Sequence, residues 1–137
     1  MFKKIMFPVD LGALDALERA LDIAVRMARE GGAELCFVGV YGSAPSSEAH
    51  FTAKYKEKLA AFAAQQGAAH KLKTSAYPAF SHDPAVEIAS TLLDAIGETG
   101  ADAVVMASHM PGWMEHVFHS NAGYVACHAP VSVFVVR

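Results

Sequence analysis

Side chains that could bind a phosphorylated ligand lie in a turn-rich loop near the C-terminus. They include the hydroxyl group of Ser108 and the imidazole group of His109. The loop, residues 108–112, follows an apolar run and leads into a segment with helical periodicity. Because α/β proteins often hold phosphate groups where a loop leaves a parallel strand and enters a helix, the pattern predicts a phosphate-binding loop.

Apolar runs and helical periodicities alternate along the rest of the chain. The runs predict strands over residues 4–9, 35–40, 71–76, 103–107 and 131–136, the third of them at the sheet edge. Apolar spacings of three and four predict four helices. The first covers residues 14–28 and is ended by Gly31 and Gly32, and the second covers residues 48–66 and is ended by Gly67. The third runs from Asp83 and Pro84 to Gly97 or Gly100, and the fourth covers about residues 114–127. The alternation predicts an α/β fold, a doubly wound parallel sheet with helices on both faces.

The composition indicates one well-buried domain over residues 1–137. Hydrophobic residues make up 53% and charged residues 18%, which excludes a disordered chain. The formal net charge of -3 comes without a basic run, so no nucleic-acid surface is expected. No apolar run approaches the roughly 18 residues that span a membrane, and no signal peptide precedes the first strand, so we expect a cytoplasmic location. Cys36 and Cys127 are expected to be reduced thiols of the core.

A ligand crevice is expected at the carboxyl ends of three predicted strands. In doubly wound sheets the crevice lies where the strand order reverses. The first strand ends at Val9 and Asp10, the second at Val40 and Tyr41, and the fourth in the loop 108–112. These ends should meet around one site.

Several segments resemble the universal stress protein family, and the resemblance covers essentially the whole chain. KKIMFPVD at the N-terminus is similar to the opening strand of that family, in which a Pro-Val/Thr-Asp segment lies beside adenine. HAPVSVFVVR at the C-terminus is similar to its HAP signature. Residues 107–122 align without a gap to the pattern GSxxPxxxxxLLGSNA of the branch with the bacterial F and G proteins, which they resemble. The resemblance implies strand order 3-2-1-4-5 and a homodimer paired through the last strand.

Nucleotide-binding members of that family carry a Gly-x-x-Gly-(eight or nine)-Gly-Ser/Thr motif, whose small residues let backbone N–H groups approach phosphates. The three glycine positions are Ala107, Met110 and His119 here, and Ser120 and Asn121 remain. Met and His add bulk beside the phosphates, although His119 as imidazolium could also offset their charge. The resemblance thus implies either an adenine nucleotide such as ATP, with Mg²⁺, or a relative that has lost nucleotide binding. The residues expected at a nucleotide are Pro8, Val9, Asp10, Val40, Ala107, Ser108, His109, Met110, His119, Ser120 and Asn121.

A metal site is the alternative use of the histidines. His116 and His119 would share one helix face, with His109 and His82 within reach and Asp83 beside His82. No tight ligand spacing accompanies them, so we expect solvent-facing and packing histidines and no metal site. A serine nucleophile is also disfavoured, because no carboxylate is placed to orient a base.

The predicted last strand, from Val131 to Val136, is apolar throughout and lies at the end of the chain. Such an edge strand favours pairing with a second copy, so we expect a homodimer. The sequence therefore predicts a cytoplasmic, dimeric stress-response binding or signalling module and no fast enzyme. The resemblance leaves open an ATP-dependent switch with slow hydrolysis or autophosphorylation, and the histidines leave open a metal or small-molecule module.

Overall fold

A five-stranded parallel sheet forms the centre of the fold, in the order β3-β2-β1-β4-β5. The computed structural model describes residues 1–42, 48–111 and 120–137. Its strands are β1 (Lys4–Pro8), β2 (Glu34–Tyr41), β3 (Thr74–Phe80), β4 (Ala103–Ala107) and β5 (Ser132–Val136). The helices are α1 (Glu18–Gly31), preceded by the 3₁₀ turn Leu14–Leu17, then α2 (Glu48–His70), α3 (Pro84–Thr99) and α4 (Asn121–His128). The predicted α/β class and strand order are confirmed.

Apolar side chains on both faces of the sheet explain why helices cover both. In β1, Ile5 and Phe7 pack with α1 and α2, whereas Met6 packs with α3 and α4, and all three are fully buried. Burying each such side chain contributes roughly 1.5–3 kcal/mol. Within the described part of the chain, no helix is long and apolar enough to cross a membrane.

Helix α2 does not end at Gly67, as the sequence had suggested, but continues to His70. Lys71 then takes a positive φ of 54°, which turns the chain out of the helix. Gly67 serves a close approach instead, because a Cβ there would lie 2.5 Å from the Thr74 hydroxyl oxygen. The third strand therefore runs from Thr74 to Phe80 and not over residues 71–76, although it does lie at the sheet edge.

Other predicted helix ends are refined by the structure. The first helix begins as a 3₁₀ turn, which leaves Leu14 37% exposed and off the buried stripe. Gly32 ends α1 with a φ of 65°, and Gly100 ends α3 with a φ of 68°, so of the two glycines considered for α3 the second is the cap. Cys36 is buried, but Cys127 is exposed, so the expectation of two core thiols was wrong for Cys127.

The start of α3 is fixed by a side chain that the sequence had not indicated. Asp83 occupies the N-cap position, yet its carboxylate makes no capping hydrogen bond. Instead Glu87 accepts hydrogen bonds from the Ser81 hydroxyl at 2.8 Å and from the Asp83 backbone N–H at 3.4 Å. These donors, with Ser81 the stronger, lower the pKa of Glu87. Its carboxylate therefore stabilises the positive end of the helix.

Glu34 joins three strands at their amino ends. Its carboxylate lies 3.2 Å from the Lys4 ammonium and 2.9 Å from the Lys73 ammonium. It also accepts a hydrogen bond from the Ser75 hydroxyl of β3. Burial raises the pKa of this carboxyl, but the donors, with Ser75 first, outweigh burial and lower the pKa to about 2. The network thus ties β1 and β3 to the start of β2.

Replacing Glu34 by Gln should lower the free energy of unfolding near neutral pH by about 1 kcal/mol, because one partner, Lys73, is largely exposed and screened. A carboxyl whose pKa is lower in the folded state stabilises the protein above its unfolded pKa, here 4.5, and loses that contribution as the pH falls towards about 2. Urea unfolding across this range should show the wild type converging on the variant. If the difference in free energy of unfolding between the two proteins stayed constant on acidification, the stabilisation would not come from the charge of Glu34.

Candidate functional site

The pairing of β1 with β4 stops before the end of β1, where the sequence predicts the ligand crevice. The chain pairs β1 with β2 as far as Pro8, but the paired positions of β1 with β4 stop at Met6. The Val9 N–H donates to the Val38 carbonyl at 2.9 Å, so Val9 faces β2 and the preceding Pro8 faces β4. Because proline has no N–H to donate, the ladder between β1 and β4 ends there and their carboxyl ends can diverge.

Val9 and Val40, both expected at a nucleotide, lie on opposite faces of the sheet. Val40 is partly exposed and packs against the core under α3 and α4. Val9 belongs to the core under α1 and α2 and is 1% exposed. Val40 can therefore offer its side chain to a ligand in the crevice, whereas Val9 can offer that ligand only its backbone.

Asp10 follows β1 at the mouth of the crevice and is partly exposed. Its carboxylate oxygen Oδ1 accepts a hydrogen bond from the Gly12 N–H at 2.9 Å, which fixes the turn after the strand. The charge of Asp10 also reaches Tyr55 of α2. Burial first, then Asp10 and Tyr41, raises the pKa of Tyr55 to about 12. The Asp10 carboxylate is thus held in one orientation by the turn, within electrostatic range of the Tyr55 hydroxyl.

An aromatic row borders the carboxyl ends of β2 and β3, and the sequence did not single it out as a unit. The Tyr41 ring centroid lies 5.1 Å from that of Tyr55 and 5.5 Å from that of Phe80. Phe80 in turn makes an edge contact with His82 at 5.0 Å. Gly39 is the residue that could have indicated this row, since a glycine within a strand often marks a place where another group approaches the backbone closely. A Cβ at Gly39 would meet the Tyr55 hydroxyl oxygen at 2.0 Å.

The loop after β4 is tied to the sheet at its first residue. The Ser108 N–H donates to the Val136 carbonyl at 2.7 Å, so this donor is used by β5. Ala107 and Met110, at two of the family glycine positions, are 8% and 4% exposed. Met110 packs into the core under α1 and α2, so its bulk is accommodated inside the protein. His109, between them, is exposed.

Ser120 begins α4 as its N-cap. Its hydroxyl oxygen accepts a hydrogen bond from the Gly123 N–H at 2.9 Å, and its carbonyl accepts from the Tyr124 N–H. Because the oxygen is the acceptor, the hydroxyl hydrogen can donate to another group at the helix start. Asn121 is buried, with 6% exposed. The partial positive charge of a helix N-terminus favours an anion at this point.

Part of the predicted site falls outside the described residues. This applies to His119, the last motif position, to His116, and to the start of the helix predicted over residues 114–127. Within residues 1–42, 48–111 and 120–137, no three His, Cys, Asp or Glu side chains are grouped as metal ligands. His128 is exposed and stacks on Tyr124 with centroids 4.0 Å apart.

Comparisons with known proteins agree with the fold and the terminal motifs. The sequence matches the model of the universal stress protein family over residues 1–137. It is 32% identical to "Universal stress protein G" of Salmonella typhimurium over 149 aligned residues, covering 100% of both proteins. A solved universal stress protein in complex with cAMP has a TM-score of 0.75 at 19% identity and covers 99% of this chain and 97% of its own.

A second solved structure, the universal stress protein from Archaeoglobus fulgidus in complex with dAMP, has a TM-score of 0.70 at 20% identity. The match covers 98% of each chain. At such identities the structural matches establish the fold, while the sequence matches establish the relationship. The chain therefore belongs to the universal stress protein family, in the branch of the G proteins.

Proposed function

We propose that this stress-response protein binds an adenine nucleotide in the crevice between β1 and β4 and acts in the cytoplasm as a dimeric binding and signalling module. The observation that carries the proposal is the gap beyond Pro8, where the β1–β4 ladder stops. One side of the gap holds Asp10, and the start of α4 presents the Ser120 hydroxyl. The solved relatives with cAMP and dAMP support an adenine ligand.

The adenosine end of the ligand would lie at β1 and β2. Asp10 can accept a hydrogen bond from a ribose hydroxyl or from the adenine amino group, because a carboxylate is an acceptor only. Val40 offers an apolar surface to the base. Pro8 contributes by keeping β4 at a distance. The phosphate end would lie at Ser120, where a hydroxyl donor and the helix dipole favour negative charge.

Titration calorimetry with AMP, cAMP and ATP, each with and without Mg²⁺, tests the proposal. We expect saturable binding of at least one of them below about 1 mM. A ligand at about 100 times its Kd should stabilise the fold by roughly 2.7 kcal/mol, which appears as a rise in Tm. GMP is the matched control for the base. No heat and no Tm change with any adenine nucleotide at about 5 mM would remove the proposal.

His119→Gly addresses the triphosphate specifically. If the imidazole obstructs the phosphates, ATP affinity should rise in this variant while AMP affinity changes little. The comparison of the two nucleotides separates a steric effect from a general loss of structure. An unchanged ATP affinity would argue that His119 is no obstacle.

The dimer would form by pairing of β5 with the same strand of a second copy. β5 is the edge strand beside β4, and Phe134 on it is 50% exposed. Because the Val136 carbonyl accepts from Ser108 of the β4 end, the backbone groups of Val133 and Val135 face the open edge. Those N–H and C=O groups are the ones that a partner strand would use.

Val133→Pro should give a monomer, because proline removes an outward N–H and leaves the bonds to β4 in place. Val133→Ala is the matched control, since it also loses packing but keeps the N–H. Light scattering after size exclusion at about 100 μM, well above a micromolar Kd, should show a dimeric wild type and Ala variant. A monomeric wild type, or a dimeric Pro variant, would contradict pairing through β5.

A further inference from the structure

We propose that a cavity between α1 and α2 binds a small aromatic or aliphatic ammonium ion, at a site separate from the nucleotide crevice. The cavity measures about 150 Å³, and Phe7 of β1 and Val9, which follows that strand, form its floor. Both floor residues are buried, with 0% and 1% exposed. An apolar cavity of about this volume admits a molecule the size of benzene.

The cavity arises from how the two helices rest on the sheet. α1 contacts β1, β4 and β2, whereas α2 contacts β2 and β3, and the cavity lies between the two helices over the carboxyl end of β1. Leu17 of the 3₁₀ turn and Leu21 of α1 form one wall, and Phe62 of α2 forms the other. Leu14 stands at the rim, 37% exposed, because the chain enters α1 through the 3₁₀ turn. A ligand would cover this leucine.

The polar groups of the cavity select a positive charge. Asp15 and Glu18 are on the α1 side and Gln66 is on the α2 side. None of the lining residues that the structure describes is basic. Two carboxylates at an apolar cavity attract an ammonium group and repel a carboxylate, an effect that is modest near solvent but depends on sign. The ligand class is therefore an apolar body with one ammonium end.

The cavity differs from the crevice in position as well as in charge. Its side chains lie on the sheet face that α1 and α2 cover, whereas Val40 packs on the face that α3 and α4 cover. The crevice favours a phosphate at Ser120, and the cavity disfavours any anion. Binding of an ammonium ion in the cavity should therefore not require a nucleotide in the crevice.

Phenethylamine, 2-phenylethanol and phenylacetate test the charge preference, because they share a phenyl body and differ in charge. Methyl NMR spectra of the full chain should show saturable shifts of Leu14, Leu17 and Leu21 with phenethylamine at millimolar concentration. Phenethylamine should bind about three- to tenfold more tightly than the alcohol, and phenylacetate more weakly than both. The shifts should persist in the presence of AMP.

Three variants complete the test. The double variant Asp15→Asn, Glu18→Gln should bind the amine no better than the alcohol, while the matched double variant Asp94→Asn, Glu98→Gln on α3 should behave as wild type. Leu21→Trp should fill the cavity and abolish the shifts with all probes. The proposal is overturned by an absence of saturable shifts, by equal binding of amine and carboxylate, or by displacement of the amine with AMP.

Discussion

Replacing Gly39 by Ala should destabilise the protein by about 2 kcal/mol, an unusual result for the addition of one methyl group. The cause is the Tyr55 hydroxyl, whose oxygen would lie 2.0 Å from the new Cβ. Tyr55 cannot simply swing away, because its ring packs against Tyr41 at 5.1 Å and it is partly buried against the core. Alanine also restricts the unfolded chain, which offsets about 0.4–1 kcal/mol of the cost.

Tyr55→Phe should rescue the Gly39→Ala variant. Without the hydroxyl, the nearest atoms are the ring carbon at 3.1 Å and a Leu59 methyl at 3.3 Å, which need shift by only a few tenths of an ångström. Urea unfolding of the two single variants and the double variant should give a coupling free energy of about 2 kcal/mol. Additive effects would show that the contact with the hydroxyl is not what fixes α2 over β2.

The fold was predictable because most buried segments are recognisable in the sequence as apolar runs or periodic apolar patterns. β1 and β4 are apolar runs that stop at Asp10 and Ser108, and Gly32 and Gly100 end helices as their left-handed φ angles require. The prediction was wrong at Gly67, where a glycine looked like a helix end but serves a contact with Thr74. Sequence alone does not distinguish a glycine that ends a helix from a glycine that allows a close approach, because both positions require a residue without a side chain.

The site was predictable only in part. Strand ends place Asp10 and Val40 near the crevice, but the strand patterns do not reveal that Pro8 ends the ladder to β4, because that depends on which neighbour its backbone faces. The sequence also does not reveal which group a given side chain contacts. The carboxylate of Glu87, and not that of Asp83, accepts hydrogen bonds at the start of α3, and Met110 packs in the core. These outcomes depend on tertiary packing, which residue spacing does not encode.

Exchanging Ser120 for Asp should remove nucleotide binding while leaving α4 intact. Asp is as good an N-cap as Ser, so its carboxylate can still accept the Gly123 N–H now bound at 2.9 Å. The same carboxylate would stand where the phosphate is proposed to lie. Two like charges about 4 Å apart near a protein surface repel by roughly 1–4 kcal/mol, which corresponds to a loss of affinity of at least about fivefold and up to about a thousandfold.

Ser120→Asn is the matched control, because Asn has nearly the same shape as Asp, is an equally good N-cap and carries no charge. Both variants should melt within a few degrees of the wild type, and only the Asp variant should lose AMP in calorimetry. The loss should shrink as salt is added, since screening weakens a charge effect and leaves a steric one unchanged. Equal affinities in the Asp and Asn variants would place the phosphate away from α4. In that case the helix start would have only a structural role, and the crevice would bind, if anything, a ligand anchored at Asp10 alone.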